Sequence, residues 1–467
     1  MAKERIRRAP QGSQLFRSIF ECSKAIWGDS AAGYIAEAST IMTIIDEKGR
    51  YLHWEDICNR TNNKEKALGY WSLIKLARNG ASQSMFGLQD VFHKPSFYCP
   101  LPAIQKTCSL IDRTCTAVAI KALISSSDME ESVFSDFIDD ESIASSQLEG
   151  AATTKKVALE ILREGRTPKS ESDKMILGNN RLMNLAWETR HDAMTEELFL
   201  LFHETASRGV NDATYSPGEL RKDNSVVVAD LEGNTIHQPP DVSELHESVK
   251  AFIKWININH EDDVSPKRYI HPVVKTCIIH FCVGYLHPFN DGNGRVARAL
   301  SYWYLFRKGY DAFRYISISR LLKEAPIQYA EAYMKTERDG LDLTYFVEYQ
   351  CRILERAING TISKVTDAVT QARQFNLWLL TSGVSRKLTT IQQYIIQSVI
   401  IESGKTFTVR QLEEGAGISE SAARKNLERM TDVGMLNRTG GGGNKPVTYT
   451  GKKSINDIKK AIIKLTE

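Results

Sequence analysis

Twelve consecutive residues hold most of the polar chemistry in an otherwise ordinary stretch of the chain. Residues 287–298 read His-Pro-Phe-Asn-Asp-Gly-Asn-Gly-Arg-Val-Ala-Arg. His287 can accept a proton near neutral pH, and Asp291 offers the hard oxygen ligand that Mg²⁺ on a polyphosphate needs. Arg295 and Arg298 are spaced i, i+3, so they share a helix face and offer forked donors that suit phosphate. A single glycine-rich turn is usually structural, but this ordered combination predicts phosphate chemistry.

Two helices are predicted to hold this turn. The segment HPVVKTCIIHFCVGYL before it is apolar on most sides, which is typical of a buried helix, and Pro288 ends that helix at His287. The segment RVARALSYWYLFRKG after it resumes helical periodicity. Gly292 and Gly294 therefore lie at a helix N-terminus, where backbone N–H groups and the helix dipole attract an anion. Two arginines at a helix N-terminus are electrostatically unfavourable unless a negative group lies beside them, so we expect a negative group near Arg295 and Arg298.

The turn matches the signature HPFx[DE]GNGRxxR at every position, and the chain resembles the Fic (Fic/Doc) family over roughly residues 130–355. The resemblance implies a helical catalytic core that transfers AMP from ATP to a hydroxyl side chain of a target protein, with pyrophosphate leaving. It implies that His287 is the general base and that Asp291 holds Mg²⁺. It also implies a set of phosphate ligands, namely Gly292, Asn293, Gly294, Arg295 and Arg298.

An upstream motif supplies a candidate for the negative partner. Ser145 and Glu149 in ESIASSQLEG are spaced i, i+4 on an expected helix and share a face, and Gly150 would end that helix. A solvated helix with an exposed glutamate is the plain alternative. The motif resembles the inhibitory [ST]xxxE[GN] pattern of the same family, which implies that Glu149 pairs with Arg298 and holds ATP in a non-productive pose. In some relatives this glutamate helps to remove AMP, so the reverse hydrolysis is also an expectation.

A short β-hairpin is predicted among the helices, in GELRKDNSVVVADLEGNTIHQPP. A β-branched run, a turn at 232–234 and a following Thr-Ile pair indicate two strands. The resemblance implies that this hairpin is the flap of the family, at about residues 218–237. Val226 and Val227 are counted among the residues of the nucleotide site, and their backbone edges would be offered to a target segment. A plain surface hairpin is the alternative. Tyr329 lies where relatives contact the base, although many have tandem tyrosines there and core packing would explain it equally well.

The chain is expected to be mainly α-helical and to contain three domains. An N-terminal helical domain (1–125) would precede a Fic-type catalytic domain (126–370) that contains the hairpin flap and an inhibitory helix at about residues 139–150. A C-terminal winged-helix domain (385–451) is predicted from three helical segments followed by two short strands around four glycines.

The last of those helical segments gives the C-terminal domain two alternative partners. Arg424, Lys425 and Arg429 lie outside its apolar stripe, and Arg438 and Lys445 lie in the strands and loop that follow. A basic helix of this kind would suit a DNA groove. Neighbouring acidic residues dilute that charge and favour a protein-docking or dimer role instead; they are Glu413, Glu414, Glu420, Glu428 and Asp432.

Composition narrows the class of protein. Hydrophobic residues make up 42% and charged residues 25% of the 467, as in an ordinary globular protein. The net charge of +3 by itself argues for neither a nucleic acid nor a membrane partner. The eight cysteines form no CxxC pair, so reduced thiols in the cytoplasm are expected rather than a zinc site. No apolar stretch is long enough to span a bilayer.

The predicted function is that of a protein adenylyltransferase that uses ATP and Mg²⁺, acts on a Ser, Thr or Tyr hydroxyl of a target protein and is autoinhibited by Glu149. One alternative is a Fic enzyme that moves another phosphate-containing group. The other is a nucleotide-sensing, DNA-binding regulator, but a sensor needs no base at His287. A homodimer is a further candidate assembly.

Overall fold

A computed structural model describes residues 6–12, 15, 38–119, 139–208, 216–229, 233–262, 268–401, 404–440, 447–452 and 454–466. These residues are mainly helical, which confirms the predicted fold class. They form two compact units. The first contains the described residues within Met1–Ala117 and Phe137–Ala357, and the second contains those within Val118–Asp136 and Ile358–Glu467. The three predicted domains do not map one to one onto these units, and their boundaries stay predictions.

The N-terminal part of the first unit consists of short helices around a two-stranded antiparallel sheet. The elements are α1 (Trp54–Arg60), α2 (Lys64–Ala81), β1 (Gln83–Ser84), α3 (Gln89–Phe92), β2 (Phe97–Tyr98) and α4 (Pro102–Thr114). Two buried cations of α2 join this part to the rest of the unit. Lys75 Nζ lies 2.9 Å from Asp339 Oδ1, and Arg78 Nη1 donates to the Tyr345 hydroxyl at 2.9 Å. Because buried charges are costly unless they are paired, these two contacts help to hold the N-terminal part against the rest of the first unit.

The remainder of the first unit is a helical layer around two buried central helices. Its elements are the helical residues 139–148 (α5), α6 (Lys155–Glu164), α7 (Glu171–Glu188), α8 (Glu196–Ser207), α9 (Val242–Asn257), α10 (Pro272–Leu286), α11 (Asn293–Arg307), α12 (Ser319–Glu324), α13 (Pro326–Arg338) and the start of α14 (Thr344–Thr381). Nearly every residue of α10 and α11 is buried. These are the two helices that the sequence predicted on either side of the polar turn.

The predicted hairpin is present, but its first strand begins later than the residues proposed for it. Strands β3 (Val228–Ala229) and β4 (Thr235–His237) pair antiparallel with an irregular register. Val226 and Val227 lie just before β3, the former half-buried and the latter exposed. Residues 230–232, which include part of the predicted turn, lie outside the described residues. The role of this hairpin as a flap stays a prediction.

The second unit contains a three-stranded antiparallel sheet and short helices. Its elements are α15 (Thr390–Ile401), β5 (Thr406–Phe407), α16 (Val409–Ala416), α17 (Glu420–Asp432), β6 (Leu436–Thr439), β7 (Thr448–Gly451) and α18 (Ile455–Thr466), and the strand order is β5-β7-β6. The sequence predicted three of these helices and the strands β6 and β7, but not β5 or α18. Helix α18 packs Ile458 and Ile462 into the core of this unit.

Helix α17 follows its predicted stripe, since Ala423, Leu427 and Met430 are buried. Gly441, Gly442, Gly443 and Lys445 of the glycine loop lie outside the described residues. The interpretation of this unit as a winged helix stays a prediction. None of the helices in the described ranges combines the length and the apolarity that crossing a membrane requires.

Candidate active site

His287 ends α10 in a backbone conformation that is uncommon for a residue with a side chain. Its φ of 46° lies in the left-handed region, and its backbone N–H donates to the Val283 carbonyl at 2.9 Å. Nδ1 lies 3.3 Å from the Gly284 carbonyl. Because a carbonyl only accepts, Nδ1 carries the proton and Nε2 carries the lone pair. Burial lowers the pKa of His287 to about 4, so the imidazole is neutral at physiological pH and able to accept a proton.

The loop between α10 and α11 is closed by Asn293. Its Oδ1 accepts from the Phe289 N–H at 3.0 Å, and its Nδ2 donates to the Phe289 carbonyl at 2.8 Å. Phe289 is fully buried and anchors the loop in the core. The sequence prediction placed Asn293 among the phosphate ligands. The structure commits its side chain to the loop, so an anion would meet its backbone N–H at the start of α11.

Both glycines of the turn occupy positions where a side chain would interfere. Gly292 has φ +79° and is the residue before α11. A Cβ on Gly294 would lie 2.9 Å from the Glu149 carboxyl carbon and 3.0 Å from Arg298 Nη1. The Glu149 carboxylate therefore lies directly over the N-terminal turn of α11, where the sequence predicted an anion site.

Glu149 and Arg298 form the ion pair that the resemblance of the upstream motif to the inhibitory pattern implied. Arg298 Nη2 lies 2.9 Å from Glu149 Oε1, and the exposed side-chain fractions are 3% and 26%. Ser145 completes the contact, because Arg298 Nε donates to Ser145 Oγ at 2.8 Å and Nη2 donates to its carbonyl at 3.1 Å. Although burial acts in the opposite direction, Glu149 raises the pKa of Arg298. Arg298 Nη1 is buried and has no hydrogen-bond partner among the described residues.

Arg295 and Asp291 face different surroundings from Arg298. Arg295 is buried, and its Nη1 donates to the Ala206 carbonyl at the end of α8 at 2.7 Å. Asp291 Oδ1 accepts from the Gly292 N–H at 2.6 Å. Within the described ranges, no three His, Cys, Asp or Glu side chains form a metal-binding group. One carboxylate still fits Mg²⁺, which commonly takes its other ligands from phosphate and water.

Residues 193–305 match the model of the Fic/DOC family. The chain contains a Fic/DOC family domain. A relative named protein adenylyltransferase Fic, from Drosophila virilis, is 27% identical over 189 residues, which is 40% of this chain and 34% of the relative. A probable protein adenylyltransferase of Aquifex aeolicus is 27% identical over 258 residues, which is 53% of this chain and 74% of the relative.

The solved structure of a Fic family protein from Desulfovibrio desulfuricans aligns with 76% of this chain and 98% of its own, at 19% identity and a TM-score of 0.47. Of the two sequence relatives, the chain spans about a third of the length of the Drosophila virilis protein and about three quarters of the length of the Aquifex aeolicus protein.

Two residues that support the Fic turn were not singled out as site residues from the sequence. The His203 ring stacks on Phe289 at 3.9 Å between centroids, and its Nε2 donates to the Asp291 carbonyl at 3.0 Å. The Arg221 N–H donates to the Pro288 carbonyl at 2.9 Å, and its Nε donates to the His287 carbonyl at 3.1 Å. These contacts span 88 and 66 residues along the chain, so local sequence patterns carry no signal for them.

Tyr329 lies in an aromatic cluster of the first unit. Its hydroxyl lies 2.7 Å from His280 Nε2, and its ring packs edge-on against Tyr333. Burial raises the pKa of Tyr329. These contacts favour the packing alternative stated for this residue, and a role in binding the base stays a prediction.

At the hairpin, His237 of β4 contacts Glu337 Oε2 through Nδ1 at 2.8 Å, which ties that strand to α13.

Proposed function

We propose that this protein is an adenylyltransferase that moves AMP from ATP to a hydroxyl side chain of a target protein and that Glu149 restrains it. One observation carries the proposal. A carboxylate from a distant segment occupies an anion site at the start of α11 and pairs there with Arg298 at 2.9 Å. A site built for anions beside a neutral, proton-accepting histidine fits phosphoryl chemistry better than any purely structural role.

The residues of the turn would divide the reaction among them. His287 Nε2 would take the proton of the target hydroxyl while the hydroxyl oxygen forms a bond to the α-phosphorus of ATP. The bond from that phosphorus to the bridging oxygen would break, and pyrophosphate would leave with the electron pair. Backbone N–H groups at Gly292, Asn293 and Gly294 would bind the phosphates. Arg298 would bind a terminal phosphate through donors that now face Glu149.

Asp291 would hold Mg²⁺, which supplies charge neutralisation of the polyphosphate when it is bound. Arg295 would contribute positive charge near the phosphates, while its contact to Ala206 keeps it in place. The hairpin would present the target. Because Val227 is 42% exposed just before β3, an extended target segment could add its backbone alongside.

Glu149 would inhibit by competing with a phosphate for the same arginine. Two negative groups cannot share Arg298 without a large repulsion, so ATP would bind in a pose that His287 and the target cannot use. The Glu149 side chain is one-quarter exposed, so its carboxylate has a route into solvent.

The experiment that tests this function compares three purified proteins with labelled ATP and Mg²⁺. Glu149→Gly is expected to label itself or lysate proteins well above the wild type. Glu149→Gly with His287→Ala is expected to give no label above background. Equal labelling by the wild type and Glu149→Gly would contradict autoinhibition. Equal labelling by Glu149→Gly and the double variant would contradict the enzymatic role of His287.

Other groups and the reverse reaction are alternatives within the same chemistry. Offering UTP or a phosphocholine donor to Glu149→Gly decides which group is moved. Incubating an AMP-modified target with wild type and Glu149→Gly decides whether Glu149 supports hydrolysis. A cytoplasmic location would agree with the described cysteines, which are all free thiols.

A DNA-binding regulator is the second candidate, and the charge of the C-terminal region favours it. Residues 385–467 contain 14 Lys and Arg against 8 Asp and Glu, whereas the whole chain has a net charge of only +3. Arg424 and Lys425 are exposed on α17, but Arg424 Nη2 pairs with Glu420 at 2.8 Å, which reduces that positive charge. Salt-dependent binding of duplex DNA by the wild type, lost in Arg424→Ala with Lys425→Ala, would support this role.

A further inference from the structure

Glu141 is a buried carboxylate on α5, two turns before Glu149, and the proposed function leaves it without a role. It is 4% exposed. Its Oε2 accepts from Ser317 Oγ at 2.9 Å and from the Ser319 N–H at 3.0 Å, and Ser319 Oγ donates to Oε1. Burial raises the pKa of Glu141 despite these hydrogen bonds. A buried carboxylate is costly unless its contacts are strong, so this one is expected to hold α5 firmly against the residues 316–319.

The same loop also holds the helix that carries Arg298. The Tyr302 hydroxyl donates to the Ile316 carbonyl at 2.7 Å and accepts from the Ile318 N–H at 3.0 Å. Tyr302 follows Arg298 by four residues, so both side chains lie on one face of α11. The residues 316–319 therefore connect α5, through Glu141, to α11, through Tyr302.

Ser145 closes the ring of contacts between the two helices. It follows Glu141 by four residues on α5, and it binds Arg298 through its hydroxyl at 2.8 Å and its carbonyl at 3.1 Å. Three residues of this ring are almost fully buried: Ser145 and Tyr302 are each 1% exposed as whole residues, and Arg298 is 2% exposed. We name this set of residues the contact ring; its members are Glu141, Ser145, Arg298, Tyr302 and the residues 316–319.

Glu149 lies outside the contact ring. It follows the last helical residue of α5, and Gly150 after it has φ +94°, a conformation that favours glycine. Its side chain is 26% exposed, in contrast to the buried members of the ring. Departure of the Glu149 carboxylate would therefore leave the contacts of Glu141 and Ser145 unbroken.

We propose that Glu141 is a positioning residue for Arg298, which keeps Ser145 on the guanidinium after Glu149 has left. Relief of inhibition is then a movement of Glu149 and its turn, and α5 stays docked. Ser145 has two roles in consequence: it accompanies the inhibitory glutamate, and it orients Arg298 for a phosphate. This inference rests on the proposed function, because it concerns the state in which ATP binds productively.

The test is the substitution Glu141→Gln, made alone and in the Glu149→Gly protein. Glutamine keeps the size of the side chain but removes its charge and one of its acceptor oxygens. In the Glu149→Gly protein it is expected to raise KM for ATP about tenfold, the effect of one lost charge-assisted hydrogen bond, with kcat changed less than about threefold. In the wild-type protein it is expected to leave transfer as low as before.

The matched control is Asp140→Asn, on the adjacent residue of α5. Asp140 lies near the surface and pairs with Lys155 Nζ at 2.6 Å, so this change is expected to leave KM unaltered. Glu141→Asp keeps the charge on a shorter side chain, and its KM is expected to lie between that of the Glu149→Gly parent and that of the Glu141→Gln protein. Ser319→Ala breaks the same contact from the loop side and is expected to raise KM in the same direction, so that the result does not depend on one variant folding well.

Two outcomes would overturn the inference. Glu141→Gln alone could raise transfer to the level of Glu149→Gly, which would mean that α5 must undock. Alternatively, KM for ATP could stay unchanged in Glu141→Gln with Glu149→Gly and in Ser319→Ala with Glu149→Gly. If Glu149→Gly itself gives no transfer, the proposed function fails separately, and ATP affinity measured by calorimetry on the same proteins still tests the contact ring.

Discussion

The signature turn and helix α5 supply the two halves of one ion pair, but they are held in place in different ways. The turn has short-range contacts of its own, from Asn293 to the Phe289 backbone at 2.8 and 3.0 Å, in addition to the support of His203 and Arg221. Glu149 reaches Arg298 from 149 positions away, and its side chain is much more exposed than its partner. The difference teaches that the turn is held in one conformation, whereas the contact with Glu149 is open to solvent and, under the proposed function, is expected to be displaceable.

The largest expected effect is on the rate of AMP transfer, and it separates the proposed role of His287 in the turn from that of Glu149 beside α5. In the Glu149→Gly protein, His287→Ala is expected to lower the initial rate of AMP transfer about 10²–10⁴-fold, because a general base is removed. Radiolabel incorporation at saturating ATP measures it. Unchanged ATP binding by calorimetry is the control, and retained transfer with bound ATP would show that the turn does not act as proposed.

The two arginines of α11 are expected to fail in different ways. In the Glu149→Gly protein, Arg298→Ala should raise KM for ATP about 10- to 100-fold, since a charged donor to phosphate is lost. Arg295→Ala should instead lower the free energy of unfolding by about 2–4 kcal/mol, because it leaves a buried site unfilled and the Ala206 carbonyl unbonded.

Steady-state kinetics and urea unfolding on both variants measure this contrast. If Arg295→Ala changes KM as much as Arg298→Ala does, and without loss of stability, the two arginines act alike on phosphate and the contrast is wrong.

A smaller effect tests whether the turn holds its own shape. Asn293→Ala removes two hydrogen bonds to the buried Phe289 backbone and should lower the free energy of unfolding by about 2–3 kcal/mol. Asn290→Ala, at an exposed position of the same loop, should change it by less than about 0.5 kcal/mol. Equal effects in chemical denaturation would show that Asn293 has no special structural role.

The smallest effect over the physiological range is expected from pH. Burial lowers the pKa of His287 from 6.5 to about 4, so the base stays neutral and kcat/KM of Glu149→Gly should be flat from pH 6 to 8 with respect to this group. The rate should fall only as pH drops through about 4. Folding favours the neutral imidazole, so its contribution to stability is complete above pH 6.5 and is lost as pH falls towards 4. A fall in kcat/KM centred near pH 6.5 that disappears in His287→Gln would contradict this.

Much of the fold and of the site could be predicted from local sequence. The apolar stripes on either side of the turn predicted α10 and α11, because hydrophobic periodicity records which face is buried. The spacing of Ser145 and Glu149 predicted that both lie on one helix face, and the resemblance of their motif implied the contact of Glu149 with Arg298; the contacts of Ser145 with Arg298 were not predicted. The hairpin was predicted, but its first strand begins at Val228 rather than at Val226, since β-branched residues indicate a strand without fixing its register.

The sequence by itself determined which functional groups the turn carries and that a negative group is needed beside its two arginines. Residue types and spacings of three or four positions follow directly from helix geometry. Only the tertiary structure decided that Asn293 binds the loop rather than an open anion site, that His203 and Arg221 support the turn, and that Glu141 joins α5 to the residues 316–319. The contacts of His203, Arg221 and Glu141 link segments that chain folding brings together, and the free energy that selects them comes from burying polar groups with their partners, which no local pattern records.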